Sequence, residues 1–230
     1  MHIPDGFLSP EVAAGTAVVA AGAVAIGLRR AEARLDDKLV PLLGVTGAFV
    51  FAAQMLNFPV AGGTSGHFLG ATLAAVLLGP WIACLVMAVV VATQALAFAD
   101  GGVSALGVNV VNMGVLGALL AGFAVKAGLR LLPAGRAAFL GLVGVVSWLA
   151  VMAGAAATSV ELALSGTLPL AVALPPMLGV HALIGVGEAV ITVAAAGAVL
   201  ASRPDLIAVA RFEPPGLAPA SRPAEGGVAS

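Results

Sequence analysis

The sequence predicts an all-α integral membrane protein with about seven transmembrane helices. Only 9% of the 230 residues are charged, 61% are hydrophobic, and the mean hydropathy is +1.13. This composition is typical of multi-span membrane proteins and differs from that of soluble domains. The apolar residues also form long runs, which charged, glycine-containing or proline-containing segments separate.

Each predicted span ends at a charge or a turn. The first stops at Arg29-Arg30, and the last stops at Arg203-Pro204. The third is too short to cross an apolar core of ~20 helical residues unless it extends into the glycine-rich loop before it. The predicted ranges are about 12–28, 39–56, 68–78, 81–97, 103–125, 137–164 and 176–201.

The basic residues support this count. All ten fall within 29–38, 126–136 and 203–211 or at Arg222. With seven spans these places share one side of the membrane, and the positive-inside rule makes that side cytoplasmic. The amino terminus is then outside and the carboxyl terminus is cytoplasmic. We therefore divide the chain into an amino-terminal segment (1–10), a transmembrane domain (11–203) and a disordered cytoplasmic tail (204–230).

Several classes of function are disfavoured. No basic stripe suggests nucleic acid as a partner. The single Cys84 lies in an apolar run, which favours inert packing over a disulfide. The chain has no Walker A phosphate loop, so ATP hydrolysis would have to come from other subunits. No basic start of a signal peptide precedes the first apolar run, so we expect no cleavage there, and the bulky His2 disfavours removal of Met1.

Met1 and His2 present three nitrogens within two residues: the terminal amine, the His2 amide and the His2 ring. If a metal displaces the amide proton, these nitrogens close two fused chelate rings in one plane. A fourth nitrogen would complete a square, which suits Ni(II) or Cu(II) and does not suit Mg, Ca or tetrahedral Zn. The alternative is that His2 is an ordinary residue of a frayed terminus.

His67 is the natural fourth nitrogen. Under the predicted topology His2, His67 and His181 all lie in the outer half, which indicates one outward-opening site. The small residues before His67, including Ser65, leave room for the amino-terminal segment. Taken alone, His67 would also suit an interfacial histidine bonded to a loop carbonyl. Asp5 is expected to hold the turn that folds this segment back, or to add charge beside the metal.

Other polar side chains lie at membrane depth. Glu188 follows His181 by two helical turns, or ~10 Å, so the two cannot chelate one ion together, and a structural and a transport role for Glu188 both remain open. Amides at this depth either hold helices together or orient the metal-bound rings, and the sequence leaves both roles open. These amides are Gln54, Asn57, Gln94, Asn109 and Asn112.

Four segments follow one another along the chain in this order: MHIPDGFLSP, MLNFPVAGGTSGHFLG, FADGGVSALGVNVVNMG and HALIGVGEAVIT. They resemble the CbiM/NikM family, the substrate-capture (S) membrane subunits of energy-coupling-factor transporters for cobalt and nickel. The resemblance implies Ni²⁺ or Co²⁺ as the transported substrate, held by Met1, His2 and His67. It also implies a membrane coupling subunit, two cytoplasmic ATPases and usually a small additional membrane subunit as partners.

We therefore expect the substrate-specific component of an ATP-driven importer, a multi-pass protein of the inner cell membrane with no enzymatic activity of its own. One alternative is a self-sufficient secondary permease in which Glu188 relays protons. Another is an intramembrane metal hydrolase built on His67, His181 and Glu188, although the chain lacks the H-E-x-x-H pair of such enzymes.

Overall fold

A computed structural model describes residues 1–32, 39–60 and 64–210. These residues form a helical bundle with one β-hairpin. The helices are α1 (Pro10–Glu32), α2 (Leu39–Gln54), α3 (Ala71–Leu78), α4 (Pro80–Ala97), α5 (Leu106–Gly128), α6 (Arg136–Leu164) and α7 (Leu170–Ser202). The hairpin strands, β1 (Asn57–Val60) and β2 (Thr64–His67), lie between α2 and α3, and the 3₁₀ turn Pro204–Leu206 follows α7. The middle of α5, Val111–Leu120, winds as a π-helix.

Within the described residues, five helices are long and apolar enough to cross a membrane, namely α1, α4, α5, α6 and α7. Helix α2 is shorter, with 16 residues, and α3 has only eight. Large apolar side chains such as Val18 and Leu183 are more than 70% exposed, which suits a surface in contact with lipid. The predicted helical membrane protein is confirmed at this level, whereas the number of crossings and the side of each terminus stay predictions.

The prediction of a purely helical fold was wrong at the glycine-rich loop. Strands β1 and β2 pair there in antiparallel fashion, with Asn57 opposite His67 and Val60 opposite Thr64. The strands are only four residues long, and Pro59 lacks a backbone N–H, so the sequence showed no strand pattern. As a result His67 ends a strand instead of beginning a helix, and the helical part of the third span is ~12 Å long.

The described helices run between two ends of the bundle. At one end, the Gly102 N–H donates to the Ile3 carbonyl over 2.9 Å, and the Thr167 hydroxyl donates to the Phe7 carbonyl. At the other end, the Arg30 guanidinium lies 5.0 Å from the centre of the Trp81 ring. We call these the site end and the basic end. The basic residues that the structure describes all belong to the basic end: Arg29, Arg30, Lys126, Arg130, Arg136 and Arg203.

Helix α7 begins at Leu170, six residues before the predicted start. Proline lacks the N–H that a helix interior uses, so a helix start at Pro176 is the usual expectation. In the structure Pro175 and Pro176 both lie inside the helix. His181 is therefore about three turns into α7, well below the site end of that helix.

The carboxyl-terminal boundary also differs from the prediction. Residues 204–210 are packed against the bundle: the Ala208 N–H donates to the Val76 carbonyl of α3 over 2.9 Å, and Ile207 and Val209 are buried. The boundary predicted at 204 therefore differs from the structure, in which this contact ties the end of α3 to the chain after α7. Residues 211–230 lie outside the described residues.

Helices α1 and α5 approach each other at Gly107. A Cβ added at Gly107 would lie 2.6 Å from the backbone N and Cα of Ala17 in α1. Because these are backbone atoms, they cannot move aside as a flexible side chain does. The close approach of the two helices therefore depends on the absence of a side chain at this position, as is common for small residues between membrane helices.

Replacing Gly107 with alanine is expected to destabilise the bundle by about 1–3 kcal/mol, because the added methyl group forces α1 and α5 apart. The midpoint of thermal unfolding in detergent measures this effect. Gly15→Ala in α1 is the matched control, since a Cβ at Gly15 meets nothing within 4 Å. Equal midpoints for the two variants would contradict the assigned role of Gly107.

Candidate metal centre

The amino-terminal segment, residues 1–9, inserts into the site end of the bundle. Met1 and Ile3 are fully buried, and His2 is 4% exposed. The Asn109 side chain holds both backbone groups of Ile3: its Oδ1 accepts the Ile3 N–H over 2.8 Å, and its Nδ2 donates to the Ile3 carbonyl over 3.1 Å. The Asn109 amide thus satisfies both backbone polar groups of the buried Ile3.

The Met1 amine lies against strand β2. It donates to the Ser65 carbonyl and to the Ser65 hydroxyl, the latter over 3.2 Å. Burial lowers the pKa of this amine to about 5, and the negative charge of Asp100 opposes the shift. Burial, with the neighbouring amine, also lowers the pKa of His2 to about 4. At neutral pH both groups therefore offer lone pairs, which a metal cation requires.

The His2 ring is oriented by Gln94. Its Nε2 lies 3.0 Å from Gln94 Oε1. Because Oε1 is an acceptor, Nε2 carries the proton and Nδ1 keeps its lone pair. Nδ1 is buried and has no hydrogen-bond partner among the described residues. It is also the ring nitrogen that closes a six-membered chelate with the amide nitrogen of its own residue.

The His67 ring stacks on the His2 ring, with centroids 4.5 Å apart and planes 29° apart. Its Nδ1 donates to the Phe68 carbonyl over 2.8 Å, which leaves the lone pair on Nε2. Nε2 is buried, again without a partner in the described part of the chain. A backbone carbonyl on one ring nitrogen and an unpaired second nitrogen are typical of metal-ligating histidines.

His181 approaches the same region from α7. Its Nδ1 donates to the Met177 carbonyl over 2.7 Å, and its buried Nε2 lacks a partner among the described residues. A Cβ added at Gly66 would lie 3.5 Å from this Nε2, so His181 reaches the strand that carries His67. The structure therefore brings all three histidines to one part of the bundle.

Glu188 and Gln54 fix the turn that follows His67. The two carboxylate oxygens of Glu188 accept the N–H groups of Leu69 and Gly70 over 2.7 and 2.8 Å. The Gln54 side chain donates to the Leu69 carbonyl over 2.7 Å. These bonds connect α2, α3 and α7 beside the candidate centre. Glu188 thus acts on the backbone next to His67, and its contact with His67 is indirect.

Three predicted polar residues remain, and each contacts a different part of the structure. Asn57 donates to Asp100 Oδ1 over 3.3 Å and so contacts the rim of the site. Asp5 is exposed and accepts from the Ser104 N–H over 2.7 Å, which favours the predicted turn role. Asn112 donates to Glu161 over 2.7 Å and does not belong to the histidine cluster.

Sequence reasoning missed two carboxylates. Asp100 lies in the segment FADGG, whose composition is typical of an ordinary turn, yet its Oδ1 is 3.5 Å from His2 Nδ1. Glu161, the buried partner of Asn112, is an ionisable residue inside an apolar run. The signal that singled out Glu188, a charge at membrane depth, would have found Glu161 as well.

Among the described residues, no group of three or more His, Cys, Asp or Glu side chains is arranged to hold a metal ion. The candidate donor set agrees with this finding, because only two of its four nitrogens belong to side chains. The other two are the Met1 amine and the His2 amide.

An apolar helical bundle with buried, unpaired nitrogens is the arrangement expected of a membrane protein that binds a metal ion. The chain belongs to the CbiM family: it matches the family model described as "Cobalt uptake substrate-specific transmembrane region" over residues 2–206. The predicted family resemblance is confirmed. The chain is accordingly a multi-pass membrane protein for metal transport, and the family is not one of enzymes.

Individual relatives agree with this assignment. The "Putative metal transport protein" of Haloquadratum walsbyi is 39% identical over 221 residues, covering 95% of this chain and 98% of that protein. The "Fused nickel transport protein NikMN" of Rhodobacter capsulatus is 35% identical over 225 residues, covering 92% of this chain and 65% of that protein. A solved structure described as a truncated transition metal transporter superposes with a TM-score of 0.77 at 33% identity, covering 87% of this chain and 98% of that one.

Replacing Asn109 with alanine is expected to loosen residues 1–9, because the buried Ile3 N–H loses its acceptor at a cost of about 1–3 kcal/mol. Faster amide hydrogen exchange in this segment, followed by mass spectrometry, measures the effect. Asn109→Asp keeps the acceptor oxygen and is expected to exchange more slowly than the alanine variant. Wild-type exchange rates in Asn109→Ala would show that this amide does not hold the segment.

Proposed function

We propose that this chain is the substrate-specific component of an ATP-driven energy-coupling-factor importer that captures Ni²⁺ or Co²⁺ at the outer face of the membrane. The observation that carries the proposal is the pair of buried, unpaired ring nitrogens, His2 Nδ1 and His67 Nε2, beside a buried terminal amine. The family description names cobalt, and the Rhodobacter relative is named for nickel.

The proposed donors are the Met1 amine, the amide and Nδ1 of His2, and Nε2 of His67. Metal binding to the first two nitrogens closes a five-membered ring, and binding to Nδ1 adds a six-membered ring. The contacts to Gln94 and to the Phe68 carbonyl support this set, because they leave the required lone pair on each imidazole. Four nitrogens with a deprotonated amide favour Ni(II) over Zn(II). Amide deprotonation also makes the affinity fall as the pH falls.

The proposed topology has seven crossings, with the amino terminus outside and the carboxyl terminus in the cytoplasm. It is supported by the gathering of the described basic residues at the end opposite the site. The third crossing would combine the extended strand β2 with the short helix α3. The amino-terminal metal-chelating segment, the transmembrane domain and the cytoplasmic tail remain the proposed division of the chain.

The proposed partners are a membrane coupling subunit, two cytoplasmic ATPases and a small additional membrane subunit. The name of the fused Rhodobacter relative supports a second membrane component. The alternative of a secondary permease needs a proton relay, but Glu188 is held by two backbone N–H groups, which favours a positioning role. Metal uptake in cells that lack the ATPases would favour the permease.

Adding one alanine before Met1 is expected to abolish tight Ni²⁺ binding, because the amine leaves the chelate while both histidines remain. The loss should exceed the ~10–100-fold that removal of an outer-shell partner costs. Metal titration of the purified full chain measures it, and the intact mass verifies that Met1 is the first residue of the unextended protein. The control carries the alanine after Ser230. Equal affinities of the two extended chains would refute the donor set.

His67→Ala is expected to weaken Ni²⁺ binding by more than ~100-fold, because it removes a direct ligand. His181→Ala removes an equally buried imidazole that is outside the proposed donor set, and its effect should be smaller. Competition titration against a metal indicator compares the two variants. A larger loss in His181→Ala would instead favour a site built on His67, His181 and Glu188, as in the hydrolase alternative.

A further inference from the structure

Asp100 lies where the candidate centre meets the outside of the bundle. Its Oδ1 is 3.5 Å from His2 Nδ1 and accepts a hydrogen bond from Asn57 Nδ2 over 3.3 Å. Its side chain is 17% exposed, whereas that of His2 is 2% exposed. Asp100 therefore contacts both the solvent at the site end and a nitrogen of the proposed donor set.

The backbone around Asp100 is held in an uncommon conformation. Ala99 has φ +53°, the only positive φ at a non-glycine residue in the described chain, and Gly101 has φ +91°. The Asp100 N–H donates to the Gln94 carbonyl over 3.0 Å. Gln94 is also the residue that orients the His2 ring, so the carboxylate and the ring are held by the same turn of α4.

Asp100 is the carboxylate whose charge acts on the site nitrogens. It opposes the lowering of the pKa of both the Met1 amine and His2. The other acidic residues near this end have their own partners: Asp5 accepts from Ser104, Glu11 bonds with the Ser9 side chain at the start of α1, Glu161 accepts from Asn112, and Glu188 accepts from the turn after His67.

The sum of charges at the proposed centre shows what the carboxylate of Asp100 contributes. A divalent ion on four nitrogens, one of them a deprotonated amide, carries a net charge of +1. A net charge inside an apolar bundle is costly unless a charge of opposite sign lies beside it. One carboxylate at Asp100 brings the sum to zero.

We infer that Asp100 is the capture carboxylate of the metal centre: it holds a hydrated divalent cation at the rim, passes it to His2 Nδ1, and remains as its counter-charge. The inference rests on the proposed function and adds a residue to it. No bond changes at Asp100 itself, because the aspartate attracts the ion before the nitrogens replace water around it. The carboxylate therefore raises the rate of association, and as the counter-charge it also stabilises the bound ion.

The expected size of the effect follows from Coulomb's law. A charge of −1 at about 5 Å from a divalent ion in water raises the population of the encounter complex roughly tenfold. Salt should remove the effect, because the Debye length falls from ~30 Å at 0.01 M to ~3 Å at 1 M ionic strength.

The test is stopped-flow association of Ni²⁺ alone with the full chain in detergent, at low and at high salt. Asp100→Asn removes the charge at nearly constant shape, and Asp100→Glu keeps the charge. Glu11→Gln is the matched control, because Glu11 is an exposed acid at the site end without a contact to the histidines. We expect Asp100→Asn to associate roughly tenfold more slowly at low salt and like wild type at high salt. Asp100→Glu should recover most of the low-salt rate, and Glu11→Gln should match wild type.

Three results would overturn the inference. The first is an unchanged association rate in Asp100→Asn. The second is an equal slowing in Glu11→Gln, which would indicate a general surface field. The third is a slowing of Asp100→Asn that persists at high salt, which would indicate damage to the turn. Failure of the proposed function is distinct, because it appears in the wild-type chain as absent Ni²⁺ binding or as binding that survives the alanine extension before Met1.

Discussion

The burial of the Met1 amine against Ser65 is the constraint on which the candidate centre depends. An amine held away from water loses its proton more readily and exposes the lone pair that a metal uses. This burial requires the first residues to enter the bundle, and they can do so because the neighbouring turn leaves room for their backbone. A Cβ at Gly102 would lie 2.4 Å from the Asp5 backbone nitrogen, so the turn after α4 admits the segment only because glycine is there.

The second half of the centre depends on bonds to the turn after His67. Glu188 of α7 and Gln54 of α2 hold the backbone of Leu69, two residues beyond the His67 ring. Beyond this turn α3 runs to the basic end, where Val76 accepts the Ala208 N–H. Helix α3 is short, but hydrogen bonds hold it at both ends, and it connects His67 to the basic end of the bundle.

The sequence predicted the spans well, because hydropathy reports directly on the lipid environment of α1, α4, α5 and α6. The nearness of His67 to His2 was also expected from residue types and is observed, whereas metal chelation by Met1 and His2 stays a prediction. The sequence did not predict the hairpin, because four-residue strands with a proline and glycines show no alternation of apolar and polar residues. It also missed Asp100, because an Asp-Gly-Gly run is usual for an ordinary turn, and only the fold shows that this turn lies over His2.

Under the proposed function, release of the ion requires residues 1–9 to move relative to His67. Three of the four proposed donor nitrogens belong to the consecutive residues Met1 and His2, so these three must move together. Ile3 and Asp5 of this segment are anchored by α5 and the α4–α5 turn, whereas the turn after His67 is held by α2 and α7. A relative shift of these two sets of helices would separate the chelating segment from His67, and it would break the hydrogen bonds of the Met1 amine to Ser65 together with the His67 bond to the metal. Because α3 links His67 to the basic end, partner subunits acting there could drive this shift without touching the metal.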